Sequence, residues 1–197
     1  GTFSGNLLHT GAHIFDALMM FADPVKSVSG KIVEHETECD ESSGYKYSQF
    51  SYEEVGEDIQ DQDGFATLFF ENGTVGHITG LGKRFFIFEV DVQGTEGRIR
   101  IGNNLFEYWR MDQSSHYAEF RELSLFSTSI PGKRSPGIVL AVEDLIQAIE
   151  KGTNTRCSGT VARHSLECAL AIYESHEQGG GEVSLPLLNI NRRVASR

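Results

Sequence analysis

Between residues 64 and 110 the chain alternates apolar and polar side chains, and this pattern most constrains its fold. Gly64 to Glu71 and Thr74 to Leu81 flank Asn72-Gly73, a dipeptide suited to the tight turn of a β-hairpin. Arg84 to Gln93 places Phe86, Phe88, Val90 and Val92 on one face and Glu89, Asp91 and Gln93 on the other. Gly94-Thr95-Glu96-Gly97 then turns the chain into Arg98 to Ile101, and Leu105 to Arg110 continues the meander. Alternation of this kind predicts an antiparallel sheet with one covered face.

Helical periodicity lies on either side of these strands. In residues 6 to 22, Leu8, Ala12, Phe15, Met19 and Ala22 form an apolar stripe that Ser4 or Asn6 could cap and Asp23-Pro24 stops. Residues 138 to 151 carry Ile138, Val142, Leu145 and Ile149 at helical spacing and end at Gly152. A further helix over 160 to 178 turns Val161, Cys168 and Ile172 inward and ends at Gly179-Gly180-Gly181. Val25 to Glu38 reads as a strand, Glu182 to Leu187 as a short closing strand, and 112 to 137 as irregular chain. The basic loop Pro131 to Gly137, with two prolines and two glycines, reads as an exposed turn. Strands and helices are segregated, so the expected class is α+β, with a predominantly antiparallel open-faced sheet and helices packed on one face.

The 197 residues, 39% of them hydrophobic and 23% charged, suit a single globular domain with a real core. A formal net charge of -11 argues against a nucleic-acid surface or an anionic membrane as partner. No apolar run approaches the roughly 20 residues that span a bilayer. Cys39, Cys157 and Cys168 form no C-x-x-C pair and read as reduced thiols, which points to the cytoplasm. From Glu34 to Asp63 eleven Asp and Glu face the single Lys46, and the expectation is a solvated loop or polar strand pair. The chain opens at Gly1-Thr2-Phe3 without a methionine, which suggests a piece of a longer protein.

The chemistry-bearing residues concentrate in Gly5-Asn6-Leu7-Leu8-His9-Thr10-Gly11-Ala12-His13-Ile14-Phe15-Asp16. His9, His13 and Asp16, spaced four and three apart, would share one helical face beside the apolar stripe. Spacing alone leaves three readings open. The pair could ligate zinc, although the glutamate of H-E-x-x-H is missing because Thr10 and Gly11 follow His9. The rings could simply hydrogen-bond at the helix border, or an imidazole tuned near neutrality could act as acid or base. No G-x-G-x-x-G joins a strand to a helix, since Gly80-Leu81-Gly82 leads into a strand. Walker lysine, nucleophile elbow and C-x-x-C are missing as well.

The segment from Gly5 to Leu18 resembles the G-G-x-L-x-D-x-G-x-H-x-x-D segment of the Gfo/Idh/MocA oxidoreductases, glucose–fructose oxidoreductase and inositol dehydrogenase among them. Later stretches resemble further family segments in the same order: Glu71 to Gly76, Val92 to Ile99, Asp144 to Gly152, Ala171 to Ser175 and Val183 to Pro186. The resemblance covers the family's C-terminal, substrate-binding half, so residues 1 to 197 are expected to be that one domain. It implies an upstream Rossmann domain that holds NAD or NADP, with no cofactor bound by this chain alone. It also implies that the histidine matching His13 lies beside the reacting carbinol. The family's common aspartate four residues earlier is His9 here.

Taken together, the resemblance implies a substrate-binding and oligomerisation domain of an NAD(P)-dependent oxidoreductase that acts on a polyol or sugar. His13 and His9 are the expected catalytic residues and Asp16 orients them, with Lys83 and Arg84 as weaker substrate contacts and no metal. The expected assembly is a homodimer or homotetramer through the open sheet face. Two rivals are a non-catalytic binding or assembly module and a glycosidase relative that uses transient oxidation.

Overall fold

The computed structural model describes residues 1–33, 57–59, 61–80, 86–103, 105–130, 136–188 and 192–194, which fall into two compact units. Residues 1–87 and 165–197 form the first, and 88–164 the second.

The first unit is built on strands β1 (Thr2–Phe3), β2 (Val25–Val33), β4 (Asp63–Phe70), β5 (Val75–Gly80) and β10 (Val183–Ser184). They lie in the order β10-β2-β4-β5-β1, antiparallel except for the β1–β5 pair. A separate parallel pair joins β3 (Glu57–Ile59) to β11 (Arg192–Val194). Helix α1 (Gly11–Met19) belongs to this unit, as does α3 (Gly159–Glu177) from Ser165 onward.

Alternation decides which side of β2, β4 and β5 is covered. Val28, Ala66, Leu68, Phe70 and Ile78 are buried, as are Ile14 and Phe15 of α1 and Cys168 and Ile172 of α3. Gly30 lets α3 approach closely. A Cβ there would stand 2.7 Å from the Phe65 carbonyl oxygen and 3.1 Å from Ile172. The buried Ser175 hydroxyl completes the junction, accepting the Gly30 N–H at 2.8 Å and donating to the Gly181 carbonyl at 2.6 Å. The opposite side of the same strands carries Phe65 and Val75, each about half exposed, beside a Thr67 hydroxyl 3.2 Å from His77 Nδ1.

The second unit is an antiparallel meander of β6 (Phe88–Gln93), β7 (Gly97–Gly102), β8 (Phe106–Gln113) and β9 (Arg121–Ser127), followed by α2 (Gly137–Lys151). One face bears an ion network, with Arg98 donating to Asp91 at 2.9 Å and Arg100 donating to Glu107 at 3.0 Å and Glu89 at 3.3 Å. The Arg98 guanidinium holds the Asp91 carboxyl below its ordinary value and lies over the Trp109 ring, 5.1 Å from its centroid.

The α+β class with a mostly antiparallel open sheet is therefore the observed one. The Asn72-Gly73 hairpin forms as expected, with Gly73 at φ 86° and the Thr74 N–H bonded to Asn72 Oδ1 at 2.9 Å. Two expectations change. Residues 121–127, read as irregular chain, form β9, which pairs with β8 across a register shift between Tyr108 and Trp109. The adjacent Leu125-Phe126 pair breaks the alternation that would have marked that strand. The first helix, expected over 6 to 22, spans only Gly11–Met19. Among the described residues no helix is long and apolar enough to cross a membrane.

Candidate functional site

The shortening of α1 is what shapes the site. Gly5 sits at φ 96°, where a Cβ would also run into the Thr10 hydroxyl, so glycine is required at that bend. The Asn6 carbonyl then accepts the N–H of Thr10 at 3.0 Å and of Gly11 at 3.1 Å, which starts the helix. The N–H groups of Leu8 and His9 turn instead to the Asp61 carboxylate, Leu8 to Oδ1 at 2.8 Å and His9 to Oδ2 at 2.9 Å. Residues 7 to 10 form a turn, and its Leu8 and His9 amides, which have no backbone partner ahead of the helix, are satisfied by this one carboxylate.

More bonds tie this turn to residues 61 and 62. Asn6 Nδ2 donates to the Asp61 carbonyl at 2.6 Å, and the Leu7 N–H to the Gln62 carbonyl at 3.0 Å. Tyr173, on α3, accepts the Gln62 N–H at 2.8 Å and donates a long 3.5 Å bond to Asp61 Oδ1. Burial pushes the Tyr173 hydroxyl well above its ordinary value, so it keeps its proton and can donate. Burial also raises the Asp61 carboxyl above 3.8, against the two backbone N–H bonds that pull it down.

His9 and His13 are both exposed. His9 lies in the turn, its Nδ1 3.4 Å from the Thr10 hydroxyl, and His13 in the first turn of α1, its N–H on the Thr10 carbonyl at 3.1 Å. The expected single helix carrying both rings is thus a turn and a helix joined at Thr10. The apolar stripe is rotated with it. Leu7, Gly11, Ile14, Phe15 and Leu18 are buried, whereas Leu8, Ala12 and Met19 are intermediate. Gly11 packs on Phe3, 3.3 Å from a would-be Cβ to the ring, a contact that hydrophobic periodicity cannot register.

Asp16 is half-buried, and among the described residues its carboxylate makes no hydrogen bond or ion pair with either imidazole. Lys83 and Arg84 lie outside the described residues. Asp61 and Tyr173 were not foreseen. Asp61 lies near the end of the acidic run from Glu34 to Asp63, and nothing in that run's composition marks it out; its long-range amide partners do.

Among the described residues no three His, Cys, Asp or Glu cluster to hold a metal ion. A strand–turn–helix segment binds phosphate through the N–H groups at its turn. Here β1 leads through the 5–10 turn into α1, and the Leu8 and His9 N–H groups already carry the protein's own Asp61 carboxylate.

The profile of the oxidoreductase family's C-terminal alpha/beta domain (GFO_IDH_MocA_C) matches residues 2–185. No curated protein matches the chain. Several solved structures share its fold. The WlbA dehydrogenase from Bordetella pertussis, in complex with NADH and UDP-GlcNAcA, is 19% identical with a TM-score of 0.56, over 93% of this chain and 46% of that one. A levoglucosan dehydrogenase in complex with NADH and levoglucosan is 14% identical with a TM-score of 0.63, over 94% and 57% of the respective chains. An oxidoreductase from Agrobacterium radiobacter in complex with NAD+, L-tartaric acid and magnesium is 16% identical with a TM-score of 0.57, over 93% and 55%. At these identities the likeness shows the fold alone, and the chain spans about half the length of these solved relatives.

Proposed function

The chain belongs to the Gfo/Idh/MocA oxidoreductase family, as its C-terminal α/β domain, and on that premise we propose that it is the substrate-binding and oligomerisation domain of an NAD(P)-dependent, cytoplasmic dehydrogenase of a polyol, sugar or sugar derivative. The observation that carries this reading is the exposed His13 imidazole in the first turn of α1, on a backbone fixed by the Gly5–Gly11 turn, where the resemblance puts the family's histidine. A secondary alcohol carbon releases hydride only as its hydroxyl loses a proton, so a base must stand beside it. A neutral His13 ring nitrogen accepts that proton. His9 hydrogen-bonds a neighbouring hydroxyl or shares the base role, and Asp16, which bonds to neither ring in this structure, is a weaker candidate for orienting the imidazoles when substrate is bound. Lys83 and Arg84 are weaker candidates for substrate contact. The chemistry a nicotinamide supplies, hydride acceptance, belongs on this reading to another domain of the parent protein.

Product analysis of the intact protein, supplied with NAD+ or NADP+ and a panel of sugars and polyols, tests the reading. Net formation of reduced cofactor supports it. Hydrolysis without net redox identifies a glycosidase relative, and neither outcome leaves a binding or assembly module.

Two further results are expected. Calorimetry on this chain alone detects no NAD(H) or NADP(H) binding at micromolar affinity, because the turn amides are already occupied by Asp61. A micromolar Kd would overturn the assignment of the cofactor to another domain. Light scattering at high micromolar concentration shows a dimer or tetramer, since the outer side of β4 and β5 leaves Phe65 and Val75 half exposed. A monomer at that concentration counts against assembly through this face.

A further inference from the structure

We propose that Asp61 is a positioning residue for His9, fixing the backbone from which that imidazole is presented. The proposal rests on the reading above, in which His9 and His13 serve one substrate. It starts from the division of labour in the turn. The first amides of α1 are satisfied by the Asn6 carbonyl, so Asp61 is not needed to begin the helix. Its two oxygens are spent on Leu8 and His9, one N–H each. Because both bonds reach consecutive peptide units, they define the plane of the chain at His9 and therefore the direction of its Cα–Cβ bond.

The support behind Asp61 is itself built. Residue 61 receives the Asn6 side chain on its carbonyl, and Gln62 is pinned by Leu7 on one side and Tyr173 on the other. Tyr173 is anchored in the buried length of α3, 7% exposed, so the turn is referred to the core and not to a surface loop. Burial raises the carboxyl above its ordinary value, so the ionised acceptor is kept at a cost. Groups held at such a cost are expected where function requires them.

His9 stands where the family's common segment has an aspartate. His13 supplies an internal control, because its N–H bonds to Thr10 and its place in α1 do not involve Asp61.

Nuclear magnetic resonance on this chain tests the proposal, with the backbone at His9 and His13 as the probe. In Asp61→Ala the Leu8 and His9 amides are expected to exchange at least about tenfold faster, the change a lost hydrogen bond to a charged group produces. The three-bond HN–Hα coupling that reports the His9 φ angle should move toward the averaged value of mobile backbone, while that of His13 and the exchange of Val28, Leu68 and Ile172 amides stay as in the parent chain. Tyr173→Phe, which removes only the hydroxyl, should give a smaller change in the same direction, and it serves if Asp61→Ala fails to fold. Unchanged His9 couplings in either folded variant overturn the proposal. So does a change that extends equally to His13 and the core amides, which would make Asp61 a general stabiliser. The catalytic reading fails separately, through an unaltered kcat in His13→Ala, whatever the His9 couplings show.

Discussion

In the intact protein, His13→Ala should lower kcat by about 10² to 10⁴ while leaving the melting temperature nearly unchanged. His13 is exposed in the first turn of α1, and its side chain contributes nothing to the buried stripe beside it. Truncation therefore removes no packed surface and opens no cavity, and surface substitutions of that kind usually stay within about 0.5 kcal/mol. What is lost, on the proposed reading, is the proton acceptor for the alcohol. His9→Ala should be milder if His9 only binds substrate. It should match His13→Ala if the base role moved to position 9 when the family's aspartate was replaced. Steady-state kinetics beside a thermal melt separates these cases. A near-normal kcat with a sharply lower melting temperature would show that His13 is structural, and tightly bound zinc at His9 and His13 would revive the metal reading.

The reverse pattern is expected for Leu7→Ala and Phe15→Ala. Both side chains are fully buried, Leu7 over Gly64 and Phe15 in the face of α1 that meets Phe3. A Cβ at Gly64 would come within 2.8 Å of Leu7 Cδ1, so Leu7 fills the space the glycine leaves. Removing either side chain leaves a cavity and should cost about 2–5 kcal/mol, a fall in melting temperature of roughly 4–20 °C for a chain of this size. The kcat of the fraction that remains folded should stay within a fewfold of normal. Leu8→Ala should cost clearly less, because Leu8 is only half-buried despite its place in the stripe read from the sequence. Calorimetric melts of the three variants decide the matter. An equal loss at Leu7 and Leu8 would contradict the packing described for the turn.

Local physics made much of the fold legible in the sequence. The helices expected over 138–151 and 160–178 are observed at Gly137–Lys151 and Gly159–Glu177, because each carries a run of helical periodicity and a glycine near its end. The Asn72-Gly73 hairpin and the Gly94–Gly97 turn were readable for the same reason, as the geometry each requires is written in adjacent residues. The resemblance that placed His13 was likewise carried by short segments in a fixed order.

What the sequence could not determine depends on partners far along the chain. Strand β1 is two residues long and pairs in parallel with β5, some 77 positions away, which no local pattern foretells. The turn at residues 7–10 has the amides of Leu8 and His9 bonded to Asp61 and that of Leu7 to the Gln62 carbonyl, partners more than 50 residues away. In sequence Asp61 is one carboxylate among eleven in an acidic run, and charge patterning assigns such a run to solvent. Its partial burial and its bond from Tyr173 come into being only when α3 packs against β2 and brings residues 61 and 173 together. The identity of the histidines was therefore a matter of sequence. The backbone from which His9 is presented was decided by tertiary contacts, because a hydrogen bond across such a separation leaves no periodic trace in the chain.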